Sequence, residues 1–111
     1  MSTVFAKMLS GEIAVLKVYE DERCIVINDI NPAAPYHWLV IPRNDNEKLS
    51  DYSSGDEGLL GHLLLVGKKV ANDHGINDFR CVINNGEGAG QSVFHLHVHI
   101  IAGRPMSWPP G

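Results

Sequence analysis

Apolar residues recur along this chain in two rhythms, and the changes between them mark the elements. Over Phe5-Ala6-Lys7-Met8-Leu9-Ser10-Gly11, the residues Phe5, Met8 and Leu9 share one helical face and Gly11 is a natural stop, which predicts a short helix. Residues 15–20 and 23–28 are β-branched runs separated by Glu20-Asp21-Glu22, a hairpin signal. Pro32 and Pro35 bracket a loop that leads into a strand over 37–41, which Pro42 ends. Residues 43–54 are polar and read as a loop or an irregular turn. From 56 to 74 the period becomes helical: Leu60, Leu63, Leu64, Gly67, Val70 and Ala71 recur at three- and four-residue spacing. Asp56 and Glu57 suit the positive end of that helix dipole, and Gly75 stops the helix.

Two further strands are predicted, over 79–84 and 93–101, with the glycine-rich segment 85–92 between them. The tail over 102–111 is too rich in proline for a helix or a central strand. About five strands, one long helix and short connections imply an α+β domain built on an antiparallel sheet. The likeness between 23–28 and 80–84 implies no repeat architecture.

Composition narrows the function classes. A chain of 111 residues suits one domain with a single core. A net charge of −4 argues against a large nucleic-acid footprint, so an anionic ligand would have to be met locally. No apolar stretch approaches the roughly 18 residues of a membrane span. The opening residues lack a basic region followed by an apolar run, so a cytoplasmic location is expected. Cys24 and Cys81 sit in apolar runs with no chelating neighbour and read as two buried, reduced thiols.

Candidate chemistry concentrates in His95-Leu96-His97-Val98-His99. On a strand, alternate side chains share a face, so the three imidazoles would point one way and Leu96, Val98 and Ile100 into the core. Three imidazoles are a costly way to build a solvated surface. Metal binding is one reading, since imidazole is a common ligand. Yet residues four apart on a strand are separated by about 13 Å, whereas zinc needs its nitrogens about 2.1 Å away. A two-histidine site would need a further ligand, and His37 is the obvious one. The other reading is nucleophilic attack on phosphorus. Neutral imidazole is a good nucleophile near pH 7 and a good leaving group afterwards, so it can divide one displacement into two through a phosphoramidate. Neighbouring histidines could fix its tautomer or deliver a proton. The upstream glycines let backbone N–H groups approach phosphate oxygens, and Asn84, Gln91 and Ser92 add neutral donors.

At these residues the chain resembles the histidine triad (HIT) superfamily, whose signature alternates three histidines with apolar residues and adds an apolar pair. Gly90-Gln91-Ser92 and the ending Trp108-Pro109-Pro110-Gly111 are similar to the Hint branch, the histidine triad nucleotide-binding proteins. Residues 29–37, the run Leu39-Val40-Ile41-Pro42 and Leu60-Gly61-His62-Leu63 resemble further blocks of that family, so the likeness spans nearly the whole chain.

The resemblance implies one HIT domain over 1–111, with 102–111 as its tail, and a homodimer whose sheets join. It implies binding of purine nucleoside monophosphates and hydrolysis of nucleoside phosphoramidates, with no cofactor or metal. Carried over, His97 is the nucleophile, and His99 with Ser92 contacts the α-phosphate and assists departure of the amine. Asn84, Gly90, Gln91 and Ser92 line the phosphate site, Asp29 accepts from the ribose hydroxyls, Ile27, Phe5 and Met8 flank the base, and Ile30 is a further nucleotide-binding residue. His95, counted with the catalytic residues, and His37 form a supporting hydrogen-bonded shell, and Trp108 reaches toward the partner's site. Asn28 replaces a histidine common in relatives and Ala14 a proline; the first touches the ribose neighbourhood.

Two alternatives stay open: cleavage of dinucleoside polyphosphates, against which Ser92 argues, and a nucleotide-dependent binding module whose turnover is incidental. For single residues the plainer readings are structural. His62 and His74 belong to the long helix, Trp38 to the core, Asp29 to a turn, and His37 is as readily a satisfied structural histidine as a ligand contact.

Overall fold

Capping chemistry sets the first helix. In a computed structural model describing residues 2–111, the Thr3 hydroxyl accepts from the Ala6 N–H at 3.1 Å, and α1 runs over Val4–Ser10. It stops where Gly11 turns to φ +84°, in the left-handed region. Strands β1 (Lys17–Glu20), β2 (Cys24–Asn28) and β3 (Tyr36–Pro42) follow. Helix α2 (Glu57–Asp73) then leads to β4 (Phe79–Val82) and β5 (Val98–Ala102). The strands pair antiparallel in the order β1-β2-β3-β5-β4, so β5 inserts between the strand before α2 and the strand after it.

Alternation explains why β2 reads as an unbroken apolar run. Cys24 and Val26 join Trp38, Val40, Leu96, Val98 and Ile100 on the face covered by Leu63, Val66, Val70 and Ala71 of α2. Ile25 and Ile27 join Leu39 and Ile41 on the opposite face, beneath Phe5 of α1. Both faces of β2 and β3 are therefore buried, as continuous apolar strands require. The two helices are braced locally. His62 Nε2 lies 2.6 Å from Asp21 Oδ2, tying α2 to the β1–β2 turn, and Tyr19 donates to the same carboxylate at 2.8 Å. At the other end the Gly75 N–H reaches the Asn72 carbonyl and the Ile76 N–H the Ala71 carbonyl, a Schellman ending.

Three expectations need correction. The strand predicted over 93–101 is shorter, because β5 begins only at Val98. Upstream of it the chain takes partners outside the ladder: the Leu96 N–H donates to the Asn46 carbonyl at 3.0 Å. Ala102, grouped with the tail by sequence, is the last residue of β5 and 1% exposed. Cys81 is exposed, since β4 is an edge strand paired on one side only, whereas Cys24 is buried. The polar segment 43–54 is irregular, as expected; it carries the 3₁₀ turn Leu49–Asp51, and a second, Ser54–Asp56, leads into α2. Among the described residues, no helix is long and apolar enough to cross a membrane.

Candidate active site

The shortened β5 shapes the centre of the site. Because His95 lies outside the ladder, its carbonyl is free of strand pairing, and His97 Nδ1 lies 2.8 Å from it. A carbonyl can only accept, so Nδ1 carries the hydrogen and Nε2 is left with its lone pair. Burial lowers the pKa of His97 from its ordinary value; the hydrogen bond to His95 and the Asp29 charge work the other way, while His95 and His37 add to the lowering. His97 is therefore a neutral imidazole at neutral pH, 8% exposed, with Nε2 unprotonated. The Phe5 ring meets it edge-on at a centroid distance of 5.0 Å.

His99 takes the complementary tautomer. The Ala33 N–H donates to His37 Nδ1 at 3.0 Å, so the hydrogen of neutral His37 must sit on Nε2. That nitrogen lies 2.9 Å from His99 Nδ1 and 3.4 Å from Asp29 Oδ2. Donating to His99 Nδ1, it forces the His99 hydrogen onto Nε2. Burial, followed by the charges of His97 and His37, pushes the His99 pKa down to about 4, against a smaller opposing effect of Asp29. His99 is neutral at pH 7 as well. A nucleophilic nitrogen and a hydrogen-bond donor thus stand on adjacent rings whose centroids are 4.9 Å apart.

The remaining sequence candidates separate into three groups. Phe5, Ile27 and Met8 come together in one apolar cluster beside His97. Asn84 lies two residues beyond Val82, the partner of His99, so continuing that register puts it across from His97; its Nδ2 reaches the Gly90 carbonyl at 3.4 Å. Gly90 itself takes φ +90°, closing the 3₁₀ turn Glu87–Ala89. Ser92 is exposed just upstream of the histidines.

Two candidates turn out to be scaffolding. Gln91 is 3% exposed, and its Nε2 donates to the carbonyls of Glu47 at 2.7 Å and Val93 at 3.1 Å while its Oε1 accepts from the Gly86 N–H. Both amide hydrogens are committed, so its side chain braces the glycine-rich segment instead of facing a phosphate. His95 is 2% exposed, with Nε2 2.9 Å from the Pro42 carbonyl. Its backbone, not its ring, touches His97.

Two more stand apart from the histidines. Ile30 is 91% exposed on the loop after β2, and Trp108 is 83% exposed on the tail. Arg80 holds that tail through the Ser107 carbonyl at 3.0 Å. A cavity of about 800 Å³ is lined by Phe79 and Arg80 of β4 and by Arg104 and Met106 of the tail, and none of the three histidines borders it.

Sequence reasoning did not find the His37–His99 contact or the service of the Asn46 and Glu47 carbonyls; these pairings join positions 62, 50 and 44 apart and leave no local signal. Among the described residues two clusters could converge on a cation, Asp21 with Cys24 and His62, and Asp29 with His37 and His99; neither is the alternating histidine run. Asp29, His37 and His99 offer donor atoms all within 4.8 Å of one another. Two of those atoms are already bonded to each other in the tautomer relay.

The sheet, its long helix and the two complementary imidazoles define a histidine triad protein. The HIT domain family matches residues 10–106, and the chain belongs to that family. An uncharacterized HIT-like protein of Synechocystis sp. is 54% identical over 110 residues, spanning 98% of this chain and 96% of that protein. Among solved structures, a HIT family hydrolase from Legionella pneumophila Philadelphia 1 matches with a TM-score of 0.95 at 38% identity, over 99% of this chain and 100% of that one. A histidine triad protein from Clostridium difficile matches with a TM-score of 0.91 at 40% identity, over 96% and 95% of the two chains.

Proposed function

We propose that the chain is a purine nucleoside phosphoramidate hydrolase of the Hint type, acting through a nucleotidyl-His97 intermediate. The observation that carries this reading is the Nδ1 contact of His97 with the His95 carbonyl, which leaves Nε2 as the free nucleophile. Nε2 attacks the α-phosphorus, a P–N bond to His97 forms, and the bond to the amine breaks with its electron pair leaving on nitrogen, which takes up a proton. Water then attacks the same phosphorus, His97 recovers its lone pair, and nucleoside monophosphate departs. His99 Nε2–H and the Ser92 hydroxyl donate to the charge that builds on the phosphoryl oxygens and the leaving nitrogen. Asp29 accepts from the ribose hydroxyls. The gathered residues include no Lys or Arg, so the anion is met by neutral donors, consistent with an overall charge of −4.

In this reading one HIT unit spans 1–111, works in the cytoplasm, and pairs with a second copy toward which Trp108 extends. The Legionella relative, described as a hydrolase, supports the hydrolytic class. The test is intact-mass analysis after mixing with a slowly turned-over adenosine phosphoramidate. An adenylyl adduct that maps to His97 and vanishes in His97→Ala is expected. Turnover without any adduct, or an undiminished rate in His97→Ala, overturns the covalent mechanism.

A further inference from the structure

A groove of about 650 Å³ opens at the start of α1, walled by Thr3, Val4, Glu47, Ser92, Val93 and Phe94. None of the chemistry described so far uses it apart from Ser92. Its position relative to the reacting nitrogen is fixed by shared walls. Val4 precedes Phe5, whose ring lies against His97, and Val93 packs on the same cluster as Phe5. The site therefore forms a row in which each member touches the next: Asp29, His37, His99, His97, Phe5. Asp29 stands at one end of that row and Phe5 at the other, where the groove adjoins the Phe5 cluster through Val4 and Val93.

The groove is built, not a gap between loose ends. Gln91 clamps its rim by donating to the carbonyls of both Glu47 and Val93, the Leu96 N–H holds the neighbouring Asn46 carbonyl, and Thr3 caps the helix that forms the opposite wall. Its lining is mainly apolar, with Ser92 among its polar members and Glu47 as the one charged side chain among the residues that line it. A concave, largely apolar surface with one convergent charge is the usual make-up of a small-ligand subsite.

We propose that this groove is the leaving-group subsite and that Glu47 selects amines carrying a positive charge at their far end. The inference rests on the phosphoramidate reading. With the ribose at Asp29, the base against Phe5, Met8 and Ile27, and phosphorus at His97, the amine would leave on the side of Ser92, which also lines the groove. An alkyl stem would lie on Val4, Val93 and Phe94, and a terminal ammonium would meet the Glu47 carboxylate. Because Glu47 is exposed, the attraction is that of a surface ion pair, small and sensitive to salt.

The experiment compares kcat/KM for three adenosine 5′-phosphoramidates of matched length, made from butylamine, 1,4-diaminobutane and 4-aminobutyrate. The diamine derivative should be preferred over the neutral one by about two- to fivefold at low salt, with the carboxylate derivative the poorest. The preference should shrink at high salt. In Glu47→Gln the ratio of cationic to neutral substrate should fall toward one, and in Glu47→Lys the carboxylate derivative should overtake the diamine. Equal kcat/KM values across the three substrates, or a cationic preference that survives Glu47→Gln, would overturn the subsite while leaving the phosphoramidate chemistry intact. If none is hydrolysed and no adduct forms on His97, the chemistry itself fails and the subsite with it.

Discussion

His97 Nδ1 lies 2.8 Å from the carbonyl oxygen of His95, and this contact exists because the chain does not enter the ladder until Val98. In a regular strand the His95 carbonyl would be directed along the ladder toward a neighbouring strand. Here it accepts from an imidazole two residues ahead, and the nucleophile's tautomer is set by the backbone. The ring can then be removed without disturbing the device that oriented it. His97→Ala should retain monophosphate binding within about tenfold, or about 1.4 kcal/mol. Its turnover should fall by about three orders of magnitude or more. Calorimetric titration with AMP beside steady-state hydrolysis checks both; loss of binding equal to the loss of rate would assign His97 to ground-state contact instead.

The direction of the histidine shifts fixes the acid limb of the activity. His97 must be neutral to attack, and its pKa lies below the ordinary 6.5 because of its burial. Activity should therefore persist as pH falls through 6.5 and decline only in the more acid range. A kcat/KM profile on a stable phosphoramidate reads the midpoint. A midpoint above 6.5 would contradict the burial argument.

Stability should follow the same sign. Between about 4 and 6.5 an unfolded chain protonates His99 whereas the folded chain keeps it neutral. The unfolded state then binds more protons, so stability falls as pH drops through that window and flattens below it. Given partial exposure, the loss is on the order of 2 kcal/mol. Asp21, whose carboxyl is held low by hydrogen bonds from Arg23, Tyr19, His62 and Cys24 against the opposing effect of its burial, loses stability only below its ordinary 3.8 and does not share this window. Urea denaturation of the native chain and His99→Gln at pH 7 and 4.5 separates the contributions; the variant should show the smaller pH dependence.

Ser92 is exposed and lines the groove, and in the proposed reaction its hydroxyl donates to the departing nitrogen. Removing it takes away a donor but not the nucleophile. Ser92→Ala should slow hydrolysis by about ten- to a hundredfold, less for amines that leave readily than for poor leaving groups. Equal losses on both would assign Ser92 to phosphate contact alone.

What could be read from the sequence followed the reach of each signal. Both helices, their glycine stops and all five strands are local patterns, and they appear with shifted ends. The placing of the His97 and His99 rings side by side was legible because alternation survives a short departure from the ladder. The length of that last strand was not, since it depends on Asn46 and Pro42 far upstream taking over as partners. Gln91 shows the same limit: a polar side chain beside a glycine-rich loop looks like a ligand donor until its partners at Glu47 and Gly86 are known. Cys81 was misplaced because an apolar run does not reveal whether its strand lies at the centre or the edge of a sheet.

The helix that backs the sheet has one position with no room to spare. A Cβ added at Gly67 would stand 2.6 Å from Ile100 Cδ1, 3.0 Å from its Cγ1 and 3.6 Å from Val40 Cγ2. Two effects oppose each other in Gly67→Ala. Helix propensity favours alanine by up to about 1 kcal/mol, while overpacking a closed core costs about 1–3 kcal/mol. Ile100 and Val40 are both fully buried, so the crowded methyl has no space into which it could retreat, and the second effect should win. A net loss of about 1–2 kcal/mol corresponds to a fall in Tm of roughly 4–8 °C for each kcal/mol in a domain of this size. Ile100→Val deletes the offending Cδ1 and costs about 0.5–1.5 kcal/mol alone. The double variant should therefore be more stable than the two single losses combined, because the substitutions share one contact. Thermal melts of the four proteins give the coupling, and a Tm that rises in Gly67→Ala alone would show that the helix can shift away from β5 at little cost.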